Sequence, residues 1–202
     1  MKINFIVLIT FITCIITVMF FLIGTSNFQI TRISAVNDSE SFTNYNNSKL
    51  NFSIQYPSNW EITERKSSPT LGNNSSTIEI RSPFEGPQDL VQEQFLISLN
   101  KLQKNITFNE YVDNALNQFQ NEYRDFKLIS NNSTMIDNHN ARKLGYSYTA
   151  GEDPLSIKII MTHNIIDDGN KVYVLSLGTP PDKYYDFLNI IQTMNDSFKI
   201  LK

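Results

Sequence analysis

The chain has 202 residues, of which 41% are hydrophobic and 12% aromatic, enough for one core of ordinary domain size. A formal net charge of -3 with no basic run excludes the cationic face that nucleic-acid binding requires. Its single cysteine, Cys14, excludes an internal disulfide and any cysteine-based metal cluster, so stability has to come from burial.

Residues 3–23 are almost unbroken apolar sequence, preceded by Lys2 and followed by Gly24-Thr25-Ser26. At 1.5 Å per residue this run reaches roughly 30 Å, the thickness of a bilayer's hydrocarbon core. A secretory signal usually has a shorter apolar region and a small-x-small cleavage site, and Ser34-Ala35 is the one late candidate here. An uncleaved anchor over 1–24 is therefore expected, with a cleaved signal as the alternative. Both readings export the rest of the chain. Asn-x-Ser/Thr sites at Asn37, Asn46, Asn51, Asn73, Asn74, Asn105, Asn131, Asn132 and Asn195 are candidate N-glycosylation sites in such a compartment.

Residues 25–49 are rich in Ser, Asn and Thr with no sustained period, and they read as a polar stalk. The folded domain is then expected over 50–202. From Asn51 to Tyr56 the sequence alternates, with Phe52, Ile54 and Tyr56 on one face. Pro57-Ser58-Asn59 turns the chain into a strand at Trp60-Glu61-Ile62, where Trp60 is expected in the core or at its edge. After a polar loop over Ser67–Ser76, Thr77–Ser82 alternates again. The Pro and Gly residues around Phe84–Asp89 rule out regular structure there. Glu93–Leu102 reads as a strand.

Thr107 and Glu110 stand at capping-box spacing. Behind them, Phe108, Tyr111, Val112, Ala115, Leu116, Phe119 and Tyr123 form one helical stripe suited to lying on a sheet. Phe126–Ile136 reads as a strand interrupted at Asn131-Asn132, with a turn at Asn138–Asn140 and a strand over Arg142–Ala150. Leu155–Ile166 and Lys171–Gly178 flank Asp167-Asp168-Gly169-Asn170, a hairpin signal because Gly accepts positive φ without steric cost. Thr179 and Asp182 form a second capping pair for a helix from Pro181 to about Asp196, with Tyr184, Phe187, Leu188, Ile191 and Met194 facing inward. A short extended segment with Phe198 and Ile200 follows. Groups of strands with two segregated helices predict an α+β fold, an antiparallel sheet flanked by helices.

Candidate chemistry is sparse. His163 shares the apolar face of its strand with Ile157, Ile159, Met161 and Ile165, which predicts a buried, hydrogen-bonded core histidine. His139 lies in an Asn-rich turn and is expected to be solvated. Two such distant histidines lack zinc-ligand spacing, and no nucleophile-elbow frame surrounds any serine. Asp167 and Asp168 are retained as candidate cation contacts, although turn propensity also explains them and a calcium ion needs about six to eight oxygens. No catalytic residue and no cofactor motif is assigned.

The segments FSIQYPSNWEI, TFNEYVDNAL, KLGYSY, KVYVLSLG and PPDKYYDFLNIIQTMNDSFKI resemble the PsbP-like family, and together they span about Leu50 to Lys202. The resemblance implies an antiparallel sheet sandwiched by helices and a non-catalytic, extracytoplasmic binding or accessory role. In photosynthetic members it implies attachment to photosystem II and retention of calcium. The expected function is accordingly a membrane-tethered binding protein, single-pass through residues 3–23, that engages a protein or small-molecule partner outside the cytoplasm. An exported hydrolase or metal-dependent enzyme using His163 or His139 is the alternative from another class. A carrier with a lipid between sheet and helix is a third.

Overall fold

The computed structural model describes residues 41–66, 76–87, 89 and 91–201. The expected anchor over 3–23 and most of the polar loop after Lys66 lie outside the described residues. Among the described residues no helix is long and apolar enough to cross a membrane.

Strands β1 (Phe42–Asn47) and β2 (Phe52–Pro57) form an antiparallel hairpin, completed on the far side of β2 by the short β10 (Lys199–Ile200). The larger sheet contains β3 (Glu61–Lys66), β4 (Ser76–Arg81), β5 (Gln94–Lys101), β6 (Lys127–Ile136), β7 (His139–Ala150), β8 (Ile157–Asp167) and β9 (Lys171–Thr179). Its order is β3-β4-β5-β9-β8-β7-β6, antiparallel throughout. Helices α1 (Phe108–Glu122) and α2 (Leu188–Ser197) complete the α+β fold.

Alternation along β9 shows how the layers stack, because successive side chains of a strand point to opposite faces. Val172 and Val174 join Tyr111 and Val112 of α1, whereas Tyr173, Leu175 and Leu177 join Ile190, Ile191 and Met194 of α2. One face of the seven-stranded sheet is thus roofed by α1. The other carries α2 and the small sheet, with Phe52, Ile54 and Phe198 in the same core. The two sheets are also fastened by the Tyr173 hydroxyl, which donates to the Leu50 carbonyl at 2.7 Å. Burial, helped by the charge of Asp168, pushes that phenol up to about 12.

Several expectations are corrected. The first described strand begins at Phe42, inside the stretch read as stalk over 25–49: β1 is mostly polar, and its pairing with β2 and the packing of Phe42 and Tyr45 on the core hold it in place. The irregularity in β6 falls between Leu128 and Ser130 rather than at Asn131-Asn132. The turn that follows is Asp137-Asn138, both at positive φ, which Asp and Asn tolerate better than most residues. Helix α2 starts at Leu188, not Pro181, and its N-cap Phe187 makes no side-chain cap bond. Thr179 Oγ1 instead donates to the Pro180 carbonyl, and successive turns bond Lys183 N–H to Pro180 and Asp186 N–H to Lys183. Ile190 consequently joins the core and Leu188 stays 37% exposed.

Candidate functional site

One polar group enclosed by the fold lies under α1. Register places Leu144, His163 and Ser176 side by side on β7, β8 and β9, and Tyr146 comes next along β7 on the same face. Ser176 Oγ is 2.6 Å from His163 Nδ1, and Tyr146 Oη is 2.7 Å from His163 Nε2. Each ring nitrogen therefore has a hydroxyl partner, and in the neutral imidazole one nitrogen donates while the other accepts. Phe119 of α1 stacks on the imidazole at 5.4 Å and 14°, and Tyr146 stacks at 5.4 Å and 16°. Tyr123, Tyr148 and Phe126 continue this aromatic layer, with the Tyr123 and Tyr148 rings only 4.4 Å apart.

The sequence provides this roof through the helical stripe that ends in Phe119 and Tyr123, set by the capping box. Thr107 Oγ1 accepts from the Glu110 amide, and Glu110 Oε2 accepts from the Thr107 amide at 2.7 Å. His163 is 4% exposed, and burial disfavours its charged form so strongly that its pKa falls to about 3. The Tyr146 phenol is pushed up by burial and by its tyrosine neighbours Tyr123 and Tyr148. A serine hydroxyl beside an imidazole is the pairing from which a nucleophile is made. Here, however, Ser176 is 7% exposed beneath an aromatic layer, and the imidazole's second nitrogen is held by a phenol, not a carboxylate. The arrangement locks β7, β8 and β9 together as a neutral polar bridge. It is the buried, hydrogen-bonded histidine that the alternation along β8 predicts.

His139 lies at the start of β7, partly buried, with Nδ1 donating to the Asp167 carbonyl at 3.0 Å. It is far from His163 along the strands, so the two histidines do not converge. Asp167 and Asp168 occupy the β8–β9 turn. Asp167 Oδ1 accepts from the Gly169 amide at 3.0 Å, and the Asp168 amide donates to the Lys171 carbonyl at 2.9 Å. Among the described residues no group of three or more His, Cys, Asp or Glu side chains is placed to hold a metal ion.

Two charged clusters have no local sequence signature. Glu79, 2% exposed on β4, is paired with Arg65 of β3 and with Arg81 two residues on, the latter at 2.6 Å. Lys183 gathers Glu85, Asp89 and Glu93 from a loop about ninety residues earlier in the chain. Burial alone would lower the Lys183 ammonium, but the hydrogen bonds to Asp89 and Glu85 and the charge of Glu93 outweigh it and raise it. Only the spacing of Glu85, Asp89 and Glu93 hints at a shared partner, and nothing near them names Lys183.

Comparison with known proteins agrees with this architecture. The cyanobacterial PsbP (CyanoP) from Synechocystis sp. PCC 6803 superposes with a TM-score of 0.56 at 17% identity, covering 85% of this chain and 97% of that one. A protein of unknown function from Pseudomonas aeruginosa gives 0.54 at 18% identity, covering 77% and 94%. LpqN from Mycobacterium tuberculosis, described as involved in cell envelope biogenesis, gives 0.52 at 16% identity, covering 82% and 87%. At such identities the likeness is one of fold. No curated protein matches the sequence. The PsbP-like protein family matches over residues 6–200, nearly the whole length, and the chain therefore belongs to the PsbP-like family.

Proposed function

We propose that the chain is a non-catalytic PsbP-like binding or accessory protein, tethered to a membrane through residues 3–23 and engaging its partner on the extracytoplasmic side. The observation that carries this reading is the state of His163: both ring nitrogens are occupied, the ring is stacked under Phe119, and its pKa of about 3 keeps it neutral. A histidine so placed serves packing, and a substrate cannot reach Ser176 past it without unroofing the core. The bilayer-length apolar run supports the tether.

The test is fractionation of cells expressing the full-length chain, followed by labelling of a C-terminal tag with a membrane-impermeant reagent on intact cells. The chain is expected to sediment with membranes through an alkaline wash and to be labelled from outside. Recovery in the cytosolic fraction overturns the tether. Hydrolysis of a generic ester or peptide substrate that disappears in Ser176→Ala overturns the non-catalytic reading. The CyanoP likeness supports a second reading, an accessory subunit of photosystem II, for which co-purification of the chain with photosystem II is the required observation.

A further inference from the structure

The binding role proposed above leaves open which surface binds and what it binds; the following rests on that role. At one end of the seven-stranded sheet the chain leaves β4 into residues 82–93 and leaves β9 into residues 180–187, and Lys183 knots the two together. Its Nζ donates to Glu85 Oε2 and to Asp89 Oδ1, each at 2.8 Å, and lies 3.7 Å from Glu93 Oε1. Glu93 is fully buried; its Oε2 accepts from the Ser82 hydroxyl at 2.8 Å, while Oε1 has no hydrogen-bond partner. One ammonium thus faces three carboxylates, and the knot keeps an excess of negative charge.

Beside it the chain exposes large apolar side chains. Phe84 is 63% exposed and Tyr185 77%, the two exposed aromatic residues among the described residues, and Leu188 is 37% exposed at the start of α2. Phe84 precedes Glu85 and Tyr185 follows two residues after Lys183, so the ion pair between Glu85 and Lys183 brings them to the same end of the molecule. Asp182 and Asp186 are exposed on the same turns. Lys183 is the one cation on these turns, and it is already saturated by the knot. Isolated apolar residues on a surface are ordinary, but aromatic residues on a fixed backbone within a rim of one charge sign have the composition of a protein contact.

We propose that this end of the molecule, with Phe84, Tyr185 and Leu188 set among Glu85, Asp182 and Asp186, docks a basic protein segment that carries aromatic or aliphatic side chains. Charge complementarity selects the partner: lysine and arginine meet an acidic rim whose carboxylates outnumber its one cation, and a cation can also lie over the exposed Tyr185 ring. The same rim repels anionic lipid headgroups and nucleic acid. The Lys183 knot ties Glu85 and Asp89 to the 180–187 turns before binding, which lowers the ordering cost of association.

The test uses the full-length chain in detergent micelles and fluorescence anisotropy with a labelled peptide of alternating Lys and Leu containing one Trp. A peptide with Glu in place of Lys is the control. The Lys peptide is expected to bind saturably and more weakly as salt rises, and the Glu peptide not at all. Binding should weaken about tenfold in Phe84→Ser/Tyr185→Ser and in Asp182→Asn/Asp186→Asn, neither of which touches the knot. Absence of binding, or equal binding by wild type and both variants, overturns the proposal. Loss of binding in Leu128→Ser/Met135→Ser on the exposed β6 edge, with the other variants unaffected, overturns this surface but leaves the binding role standing. That role fails separately, in the fractionation and substrate tests.

Discussion

His163 sets the balance at the scale of single residues. A hydroxyl on each ring nitrogen and the neighbouring rings of Phe119 and Tyr146 make it a well-satisfied polar group in an apolar layer, and its removal takes a hydrogen bond from each partner. His163→Leu should cost about 2–4 kcal/mol, because Ser176 Oγ is left buried without it and the buried Tyr146 Oη loses one of its bonds. Urea denaturation at neutral pH measures this directly. The pH dependence follows from linkage. In the unfolded chain the imidazole titrates near its ordinary 6.5, whereas in the fold its pKa is about 3. Between these values the unfolded state binds the extra proton, so stability falls as pH drops below about 6.5 and levels off near 3. From pH 7 to pH 5 the contribution lost is about 2 kcal/mol. The His163→Leu variant should show a slope shallower by that amount; an unchanged slope would mean that the ring is hydrated in the fold.

The two helices differ in how they are held at the scale of elements. Helix α1 has its own start signal, and its capping box forms as Thr107 and Glu110 predict. Thr107→Ala should cost about 1 kcal/mol by thermal or denaturant unfolding, leaving the fold otherwise unchanged. Its buried stripe ends in Phe119, which touches His163, Tyr146 and Tyr123 at once. Phe119→Ala should cost about 3–5 kcal/mol and, by admitting water, move the His163 pKa back toward its ordinary value in an NMR titration. Helix α2 has no such signal of its own. The Thr-Pro-Pro-Asp sequence has the residue types of a capped start, but the chain spends residues 180–187 in turns so that Lys183 can reach the carboxylates of the 82–93 loop. An interaction across the sheet has displaced a local preference, and the helix is placed by the core contacts of Ile190, Ile191 and Met194.

What closes the whole molecule is the small sheet. The first described strands, β1 and β2, enclose the same core as the segment after α2, where Phe198 stacks on Phe52 at 5.6 Å and β10 pairs with β2. The β6–β7 turn joins in, as the Asp137 carboxylate accepts from the Ile200 amide at 2.8 Å and pairs with Lys199 at 3.1 Å. Burial would raise that carboxyl, but the Ile200 amide and Lys199 outweigh it and hold it low. A chain beginning at Ser41 should therefore unfold cooperatively. One beginning at Leu50, the boundary suggested by composition, lacks β1 and the cover of Phe42 and Tyr45, and should melt on the order of 10 °C lower. Calorimetry on the two truncations decides it, and equal melting temperatures would reduce β1 to an appendage.

The sequence by itself determined the features that depend on near neighbours: the alternation of β2 and β4, the Asp168-Gly169 hairpin, the cap and buried stripe of α1, and the inward turn of His163. These are set within a few residues by backbone sterics, turn chemistry and the periods of helix and strand. Only the tertiary structure decided that a polar segment such as Phe42–Asn47 is a strand, that α2 begins at Leu188, and that Lys183 meets Glu85, Asp89 and Glu93. A strand with little apolar periodicity gains its stability from backbone bonds to its partner, and an ion pair between residues ninety or more apart has no trace in either local sequence. The physical reason is that such contacts arise from the closure of the chain on itself, after local preferences have been overridden where they conflict with it.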